Sequence, residues 1–236
     1  MDGSKIRLII LRYSIATLGL ALVALGVALS LKSDLGTAPI SCPPAVLNLR
    51  WGSISVGTFT WMMHMVLILF QVALLRKDFK WRYLMQIPAA FVFGYLCDLF
   101  IWLLQDVHLT SYAMRMVFCL LTVVATAVGL RIEIIGNAWM IAGDMTIDVL
   151  SRVTKVRMSR VKVAFDVFMV VIAAGFTWIC FGNPWGDGNA VVIREGTLVL
   201  ALLTGLCMRL TDPLLEKWFA GVSARIAASH VVLTDE

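Results

Sequence analysis

The sequence predicts an all-α polytopic membrane protein with six transmembrane helices, arranged as two inverted three-helix repeats that each contain a short re-entrant half-helix. Three observations support this fold class. The composition is 60% hydrophobic and 15% charged, with a mean hydropathy of +0.89, whereas soluble domains are nearer ~45–50% apolar. Six segments approach the ~20 apolar residues that a crossing helix needs. Two parts of the chain also align with each other.

The six crossing segments are mainly apolar and about as long as the hydrocarbon core is thick. They are Leu8 to Leu31, Val56 to Leu75, Leu84 to Leu104, Ala113 to Leu130, Val163 to Phe181 and Thr197 to Leu215. The first has a basic start like a signal peptide, but its apolar run exceeds the roughly 7–15 residues of a signal core, so we expect it to be retained. The prediction is one membrane domain over residues 1–215, with a cytoplasmic tail over residues 216–236.

An internal repeat divides these six segments into two groups of three. Gly26 to Leu69 can be laid on Gly129 to Ile172 without a gap, which pairs Ser41 with Asp144. Repeat 1 then covers about residues 8–105 and repeat 2 about residues 112–215. Because each repeat contains an odd number of crossings, the second is expected to lie inverted relative to the first. Inverted repeats are typical of secondary transporters.

The positive charges predict the orientation. Lys and Arg near helix ends are retained on the cytoplasmic side. With the N-terminus inside, the basic clusters at Arg76 to Arg82 and Arg152 to Lys162 both fall inside as well. We therefore expect both termini to be cytoplasmic. This asymmetry explains the net charge of +5 without a nucleic-acid partner.

Two interruptions of the membrane pattern are the most informative segments. After the first crossing, Gly36 and several prolines forbid a continuous helix, while Ser41 followed by Pro43 and Pro44 favours a new helix start. A helix from about Pro43 to Arg50 would cover only about 12 Å and could not cross. In the second repeat Asp144 takes the position of Ser41 and could cap an equivalent half-helix.

The two half-helices are expected to converge on one polar spot if they enter from opposite faces. The alternative is that both segments are surface loops with interfacial helices. Under the first interpretation, the solute-binding residues are polar or small positions of the two interruptions. They are Asp34, Thr37, Ser41, Asn137, Gly143, Asp144 and Asp148. Acidic side chains suit a cation or an amine, whereas bare helix starts suit an anion, so the charge of the solute stays open.

Ionisable residues within crossings form a second group of candidates, because each should be paired or face a cavity. Asp98 and Arg209 occupy equivalent positions of the two repeats, which predicts that they pair. Asp166 either pairs with a nearby base or takes part in transport. Arg131 and Glu133 are interpreted as anchors that reach the interface from the inner end of the fourth crossing.

The sequence contains no signature of a metal site, a cofactor or an enzyme. The five cysteines form no C-x-x-C pair, and of the three histidines only His64 lies within a crossing. No nucleophile-base pair and no phosphate-binding loop is found. We therefore predict a protein that is not an enzyme and that has neither a cofactor nor a bound metal.

Three stretches together resemble the bacterial YczE/YitT family of small membrane proteins. They are Gly26 to Pro39, Lys162 to Asp166 and Val192 to Leu198. That family often shows D-L-G-x-x-P in its first copy and D-L-G or G-D in its second. Here the second copy keeps Gly143-Asp144, with Asn137-Ala138-Trp139 where D-L-G might stand. The resemblance implies a location in the bacterial inner membrane.

These observations lead to three functional expectations. The first is a transporter or facilitator that binds a small polar solute or ion near the bilayer midplane. The second is a channel for an ion or small solute with the same fold. The third is an accessory or regulatory membrane subunit that transports nothing. The expected partners are the solute and the lipid bilayer, and the sequence leaves a homo-oligomer open.

Overall fold

The computed structural model describes residues 3–136, 138, 141–183 and 192–234. The regular structure of these residues is helical, with eight α-helices and short 3-10 turns. The helices are α1 (Gly3–Ser33), α2 (Cys42–Arg50), α3 (Val56–Leu75), α4 (Gln86–Leu103), α5 (Tyr112–Gly136), α6 (Ala142–Thr154), α7 (Met158–Phe181) and α8 (Glu195–Thr234). A 3-10 turn at Pro39–Ser41 precedes α2.

The predicted number of crossing helices is confirmed. Within the described residues, α1, α3, α4, α5, α7 and α8 are long and apolar enough to cross a membrane. The helices α2 and α6 have only 9 and 13 residues, too few to cross. The fifth crossing begins at Met158 rather than at the predicted Val163. This extension carries Lys162, whose long side chain allows a charge to lie near a helix end.

The sixth crossing helix continues beyond the predicted membrane domain. Helix α8 does not end at Leu215 but runs to Thr234, with Pro213 inside it. The residues predicted as a tail thus extend the same helix. Four of these residues are alanine, which has the highest helix propensity, and no proline follows Pro213.

Helices α1 and α5 form the closely packed centre of the fold. They run antiparallel, and small residues line their contact. A Cβ atom added to Gly19 would lie 2.6 Å from the carbonyl oxygen of Gly129. Further along, a Cβ atom on Gly26 would lie 3.4 Å from the carbonyl oxygen of Thr122. Glycine at these positions lets the two backbones approach closely, as in other membrane helix pairs.

The other helices pack around this pair. Helix α4 packs against α1, and α8 packs against α5. The short helix α2 packs against α7, while α6 packs against α3. Helices α3 and α4 also pack together, whereas the described parts of α7 and α8 make almost no contact with each other. This arrangement leaves a space between α7 and α8 beside the centre of the molecule.

Candidate functional site

The two interruptions of the chain meet in the interior. Gly143, in the first turn of α6, lies against the side chain of Ile40, in the turn before α2. A Cβ atom at Gly143 would overlap the end of that side chain. The turn before α2 and the start of α6 are therefore in direct contact, although about a hundred residues separate them in the sequence.

A cavity of about 270 Å³ lies at this meeting point. We call it the central cavity. Its lining comes from α1, α3, α4, α5, α6, α7 and α8 and from the turn before α2. Most of the lining is apolar, but it also includes side chains that can be charged or can form hydrogen bonds. The chief of these are Ser41, His64, Asp144, Lys162 and Asp166.

Asp144 is the charged residue of the central cavity that lacks a partner within the described chain. No hydrogen bond or ion pair to its carboxylate is found there, whereas Asp166 pairs with Lys162 at 3.4 Å between Oδ2 and Nζ. Burial raises the pKa of Asp144 above its ordinary value, and the positive charge of Lys162 opposes that rise. Asp144, which the sequence predicted to bind a solute, thus lines the central cavity.

His64 is a cavity residue that the sequence did not single out for binding. It is 1% exposed, and its ring stacks on Phe93 with 5.6 Å between the ring centroids. Its Nδ1 atom is buried without a hydrogen-bond partner. A buried polar atom normally has a partner. The available signal was the presence of a histidine within an apolar crossing segment.

The starts of both short helices are capped differently from the prediction. Ser41 is the N-cap residue of α2, as predicted, but its side chain makes no capping hydrogen bond. Asp144 lies in the first turn of α6 and is not its cap, because the N-cap residue is Ile141. The Ile141 N–H donates to Glu133 Oε1 at 2.9 Å. Glu133 therefore takes the role that the sequence assigned to Asp144.

The interpretation of Glu133 as an interfacial anchor was wrong. Glu133 is only 3% exposed, and its Oε2 atom is buried without a hydrogen-bond partner. The physical reason is that the start of α6 presents free N–H groups inside the protein and needs an acceptor there. Since α5 ends directly before α6, a carboxylate on its last turns can supply that acceptor.

A second cavity lies toward the other end of α1. This outer cavity has a volume of about 240 Å³ and is lined by Ser30, Asp34, Thr37, Asn48 and others. Thr37 is 1% exposed, and its hydroxyl forms a 2.7 Å hydrogen bond with that of Ser30. Ser30 lines both cavities. This hydroxyl pair therefore lies where the outer and central cavities adjoin.

Asp34 belongs to the outer cavity and has two basic partners. Its carboxylate accepts a hydrogen bond from Arg115 Nη1 at 2.7 Å, and Arg194 Nη1 lies 3.5 Å from it. Arg194 also donates to the Asp34 carbonyl oxygen at 2.8 Å. These contacts tie the end of α1 to the starts of α5 and α8. Asp34 does not line the central cavity.

A family model matches residues 10–213, which include every residue that lines the two cavities. The chain belongs to the family of unknown function DUF6198. No curated protein and no solved structure matches it. The description of DUF6198 names no activity, so the function of this DUF6198 protein has to be argued from its site.

Several residues predicted to bind the solute lie elsewhere in this DUF6198 protein. Asp148 forms an ion pair with Arg152 at 2.6 Å and lines neither cavity. Asn137 lies outside the described residues. Of the predicted set, Ser41 and Asp144 line the central cavity, Asp34 and Thr37 line the outer one, and Gly143 makes the contact between the two interruptions.

The structure does not place Asp98 and Arg209 as a pair. Asp98 accepts hydrogen bonds from Ser55 Oγ at 2.6 Å and from the Gly57 N–H at 2.7 Å, at the start of α3. Arg209 is exposed on α8. The reason is that α4 packs against α1, whereas α8 packs against α5. Equivalent positions on these two helices therefore lie on different sides of the central pair.

A buried polar network that the sequence analysis missed holds α6 in place. Gln71 is fully buried in α3, and its Nε2 donates to Thr146 Oγ1 at 2.9 Å and to the Ala142 carbonyl oxygen at 3.1 Å. Gln86 Nε2 donates to Gln71 Oε1 at 2.9 Å. The signal was a pair of glutamines within apolar crossing segments, which require partners in lipid.

Proposed function

We propose that this DUF6198 protein is a membrane transporter or facilitator whose small solute binds in the central cavity between two inverted repeats. The observation that carries the proposal is the meeting of the two chain interruptions at one cavity that contains Asp144. Non-helical backbone at membrane depth is tolerated only where it is buried in protein or lines a wet cavity. An ionisable residue at such a place is by default a functional one.

The packing supports an inverted repeat. The alignment of the two halves pairs α1 with α5, α2 with α6, α3 with α7 and α4 with α8. When each helix is exchanged for its equivalent, the contact of α2 with α7 becomes that of α6 with α3, and the contact of α4 with α1 becomes that of α8 with α5. Both partners of these two exchanges are present, as expected for two halves related by a two-fold axis in the membrane plane. The contact of α3 with α4 is an exception, because its equivalent, that of α7 with α8, is almost absent among the described residues.

The contact between α1 and α5 also agrees with an exchange of the two halves. The register that pairs Gly26 with Gly129 also pairs Gly19 with Thr122. Gly19 lies against Gly129, and Gly26 lies against Thr122. Exchanging the two halves turns the first contact into the second. This agreement supports the alignment at the level of single residues, where sequence identity is low.

A carrier is favoured over a channel because the two cavities are separate. The lining of the central cavity extends to Ser159 at the start of α7, the side predicted to be cytoplasmic. On the other side, the Ser30–Thr37 hydrogen bond lies between it and the outer cavity. A site that is reached from one side at a time is the arrangement that alternating access requires.

Accessibility of an introduced cysteine tests the proposal. Thr204 and Leu202 lie in the same part of α8, but Thr204 lines the central cavity, whereas Leu202 does not line it and is 74% exposed. Each is replaced by cysteine in a variant that lacks the five native cysteines. We expect a membrane-impermeant maleimide to label Thr204→Cys from one side of inverted or right-side-out vesicles, and to leave Leu202→Cys unlabelled in lipid. No labelling at Thr204→Cys from either side would refute a water-filled solute cavity.

We also infer a location in the bacterial inner membrane with both termini cytoplasmic. The basic clusters at the ends of the helices and the resemblance to the YczE/YitT family support this location. The description of DUF6198 does not name that family, so the relationship stays a prediction.

A further inference from the structure

We propose that the solute is a small organic amine with an apolar body, whose ammonium group is bound by Asp144. This inference rests on the proposed function, because it takes the central cavity as the solute site. The sequence alone left the charge of the solute open, since acidic residues and bare helix starts gave opposite indications. The structure resolves this conflict through four features of the cavity.

The first feature is the charge balance. Among the described residues, the central cavity is lined by two carboxylates and one ammonium group, those of Asp144, Asp166 and Lys162. Lys162 pairs with Asp166 on the next turn of α7. Asp144 forms no ion pair of its own among the described residues and lies in largely apolar surroundings, where Lys162 offsets its charge only in part. A buried charge of this kind is costly unless it is paired, and a monovalent cation supplies the missing partner.

The second feature is that the starts of both short helices disfavour an anion. Pro43 and Pro44 have no N–H group, and the Cys42 N–H already donates to the Ala38 carbonyl oxygen at 3.1 Å. At α6, Glu133 accepts from the N-cap residue, and the carboxylate of Asp144 lies in the first turn. An anion needs free N–H groups and a positive helix end. At α2 the N–H groups are missing or already used. At α6 two carboxylates, those of Glu133 and Asp144, lie beside the remaining N–H groups and disfavour an anion.

The third feature is His64. Its buried Nδ1 has no partner in the protein, and the residue lines the same cavity as Asp144. When the imidazole proton is on Nε2, Nδ1 is a hydrogen-bond acceptor. Nδ1 is fully buried in this conformation, so the ring has to turn toward the cavity before a ligand can reach it. An ammonium group carries several N–H donors and could then bind both the carboxylate and this nitrogen. A quaternary ammonium has no N–H group and would leave Nδ1 without a partner.

The fourth feature is the size and character of the lining. A cavity of about 270 Å³ has room for a molecule much larger than a single water. The remaining lining includes Val27, Phe93, Phe165 and Leu200. Among the described residues, no group of three or more His, Cys, Asp or Glu side chains could hold a metal ion there. An amine with an alkyl or aryl body matches both the negative charge and the apolar surface.

Binding to the purified full chain tests the inference. The probes are a series of primary amines from methylamine to phenethylamine, with 2-phenylethanol and 3-phenylpropionate as neutral and anionic relatives of the largest amine. Affinity is measured by isothermal titration calorimetry in detergent. We expect the larger amines to bind more tightly than the alcohol, and the carboxylate not to bind. A carboxylate or an alcohol that binds as tightly as the amine would overturn the inference.

Two variants assign the binding to Asp144. Asp144→Asn is expected to weaken amine binding by about 10- to 100-fold, because a hydrogen bond to a charged group contributes about 1.5–3 kcal/mol. Asp148→Asn is the matched control, since Asp148 lies one turn further along α6 outside the cavity, and it should bind normally. Equal loss in both variants would refute the role of Asp144.

A third variant keeps the test valid if Asp144→Asn does not fold. Lys162→Gln removes the positive charge from the cavity and is expected to strengthen amine binding, whereas an anion site would lose affinity. If no amine binds while Thr204→Cys is still labelled from one side, the amine assignment fails and the proposed cavity stands. If Thr204→Cys is not labelled, the proposed function itself fails.

Discussion

Replacing Gly143 by alanine tests whether the two chain interruptions touch. The added methyl group would overlap the Cδ1 end of the Ile40 side chain, which is partly buried and can turn aside at some cost in packing. Overpacking typically destabilises by about 1–3 kcal/mol, and the lower part of that range, about 1–2 kcal/mol, is expected because this end of the side chain is rotatable. For a chain of this length, that corresponds to a decrease in melting temperature of about 2–8 °C.

A double-mutant cycle separates this contact from other effects of the substitution. Ile40→Ala removes the side chain that the new methyl group would meet, so Gly143→Ala should cost much less in the Ile40→Ala background. The expected coupling energy is about 1–2 kcal/mol, within the usual range for residues in contact. Thermal unfolding of the purified protein in detergent, followed by circular dichroism, measures all four variants.

Gly175→Ala is the matched control. Gly175 lies within α7 and an added Cβ atom would meet nothing within 4 Å. Alanine there should stabilise the protein by up to about 1 kcal/mol through helix propensity. If Gly143→Ala is as harmless as Gly175→Ala, or if its cost is the same with and without Ile40, the turn before α2 and the start of α6 are not in contact. The central cavity would then lose its structural basis.

Three further outcomes are expected from the packing. Gln71→Ala should lower the stability by about 1–3 kcal/mol, because it leaves the buried polar partners of Gln71 unpaired. Thermal unfolding measures this loss. An unchanged melting temperature would contradict the polar network. Gly19→Val should sharply reduce the yield of folded protein in size-exclusion chromatography, whereas Gly205→Val, which has open space around it, should not. Asp34→Asn should lower the stability by less than about 1 kcal/mol, since the ion pair of Asp34 with Arg115 is partly exposed. The difference in melting temperature between this variant and the unchanged protein should shrink further in high salt. A large loss that does not depend on salt would contradict a surface ion pair.

The number and approximate position of the crossing helices could be predicted because they depend on local properties. An apolar segment of sufficient length forms a helix in lipid whatever its neighbours are, since only internal hydrogen bonds satisfy its backbone. The interruption after α1 was equally local, because Gly36 and the prolines after it cannot continue a helix. Its predicted helix from Pro43 to Arg50 agrees with α2 to within one residue.

The roles of individual side chains could not be read in the same way. The sequence predicted that Asp144 caps the start of α6, but Glu133 accepts the hydrogen bond from the N-cap residue Ile141. It also paired Asp98 with Arg209 because they occupy equivalent positions, whereas Asp98 binds the start of α3. Equivalent positions of two repeats are in contact only when they lie near the axis that relates them, and a linear alignment does not contain that distance.

The amino-acid sequence by itself determined that the chain is helical, has six helices long and apolar enough to cross a membrane and is broken at two places. It could do so because hydropathy and the backbone limits of glycine and proline act within a few residues. Only the tertiary structure decided which polar groups share the interior. Asp144 has no partner within the described chain because Lys162 is already paired with Asp166, and His64 is buried because α3 and α4 pack together. Such relations depend on distances between residues that are far apart in the chain, and these distances are set by the close packing of α1 against α5 and of the remaining helices around that pair.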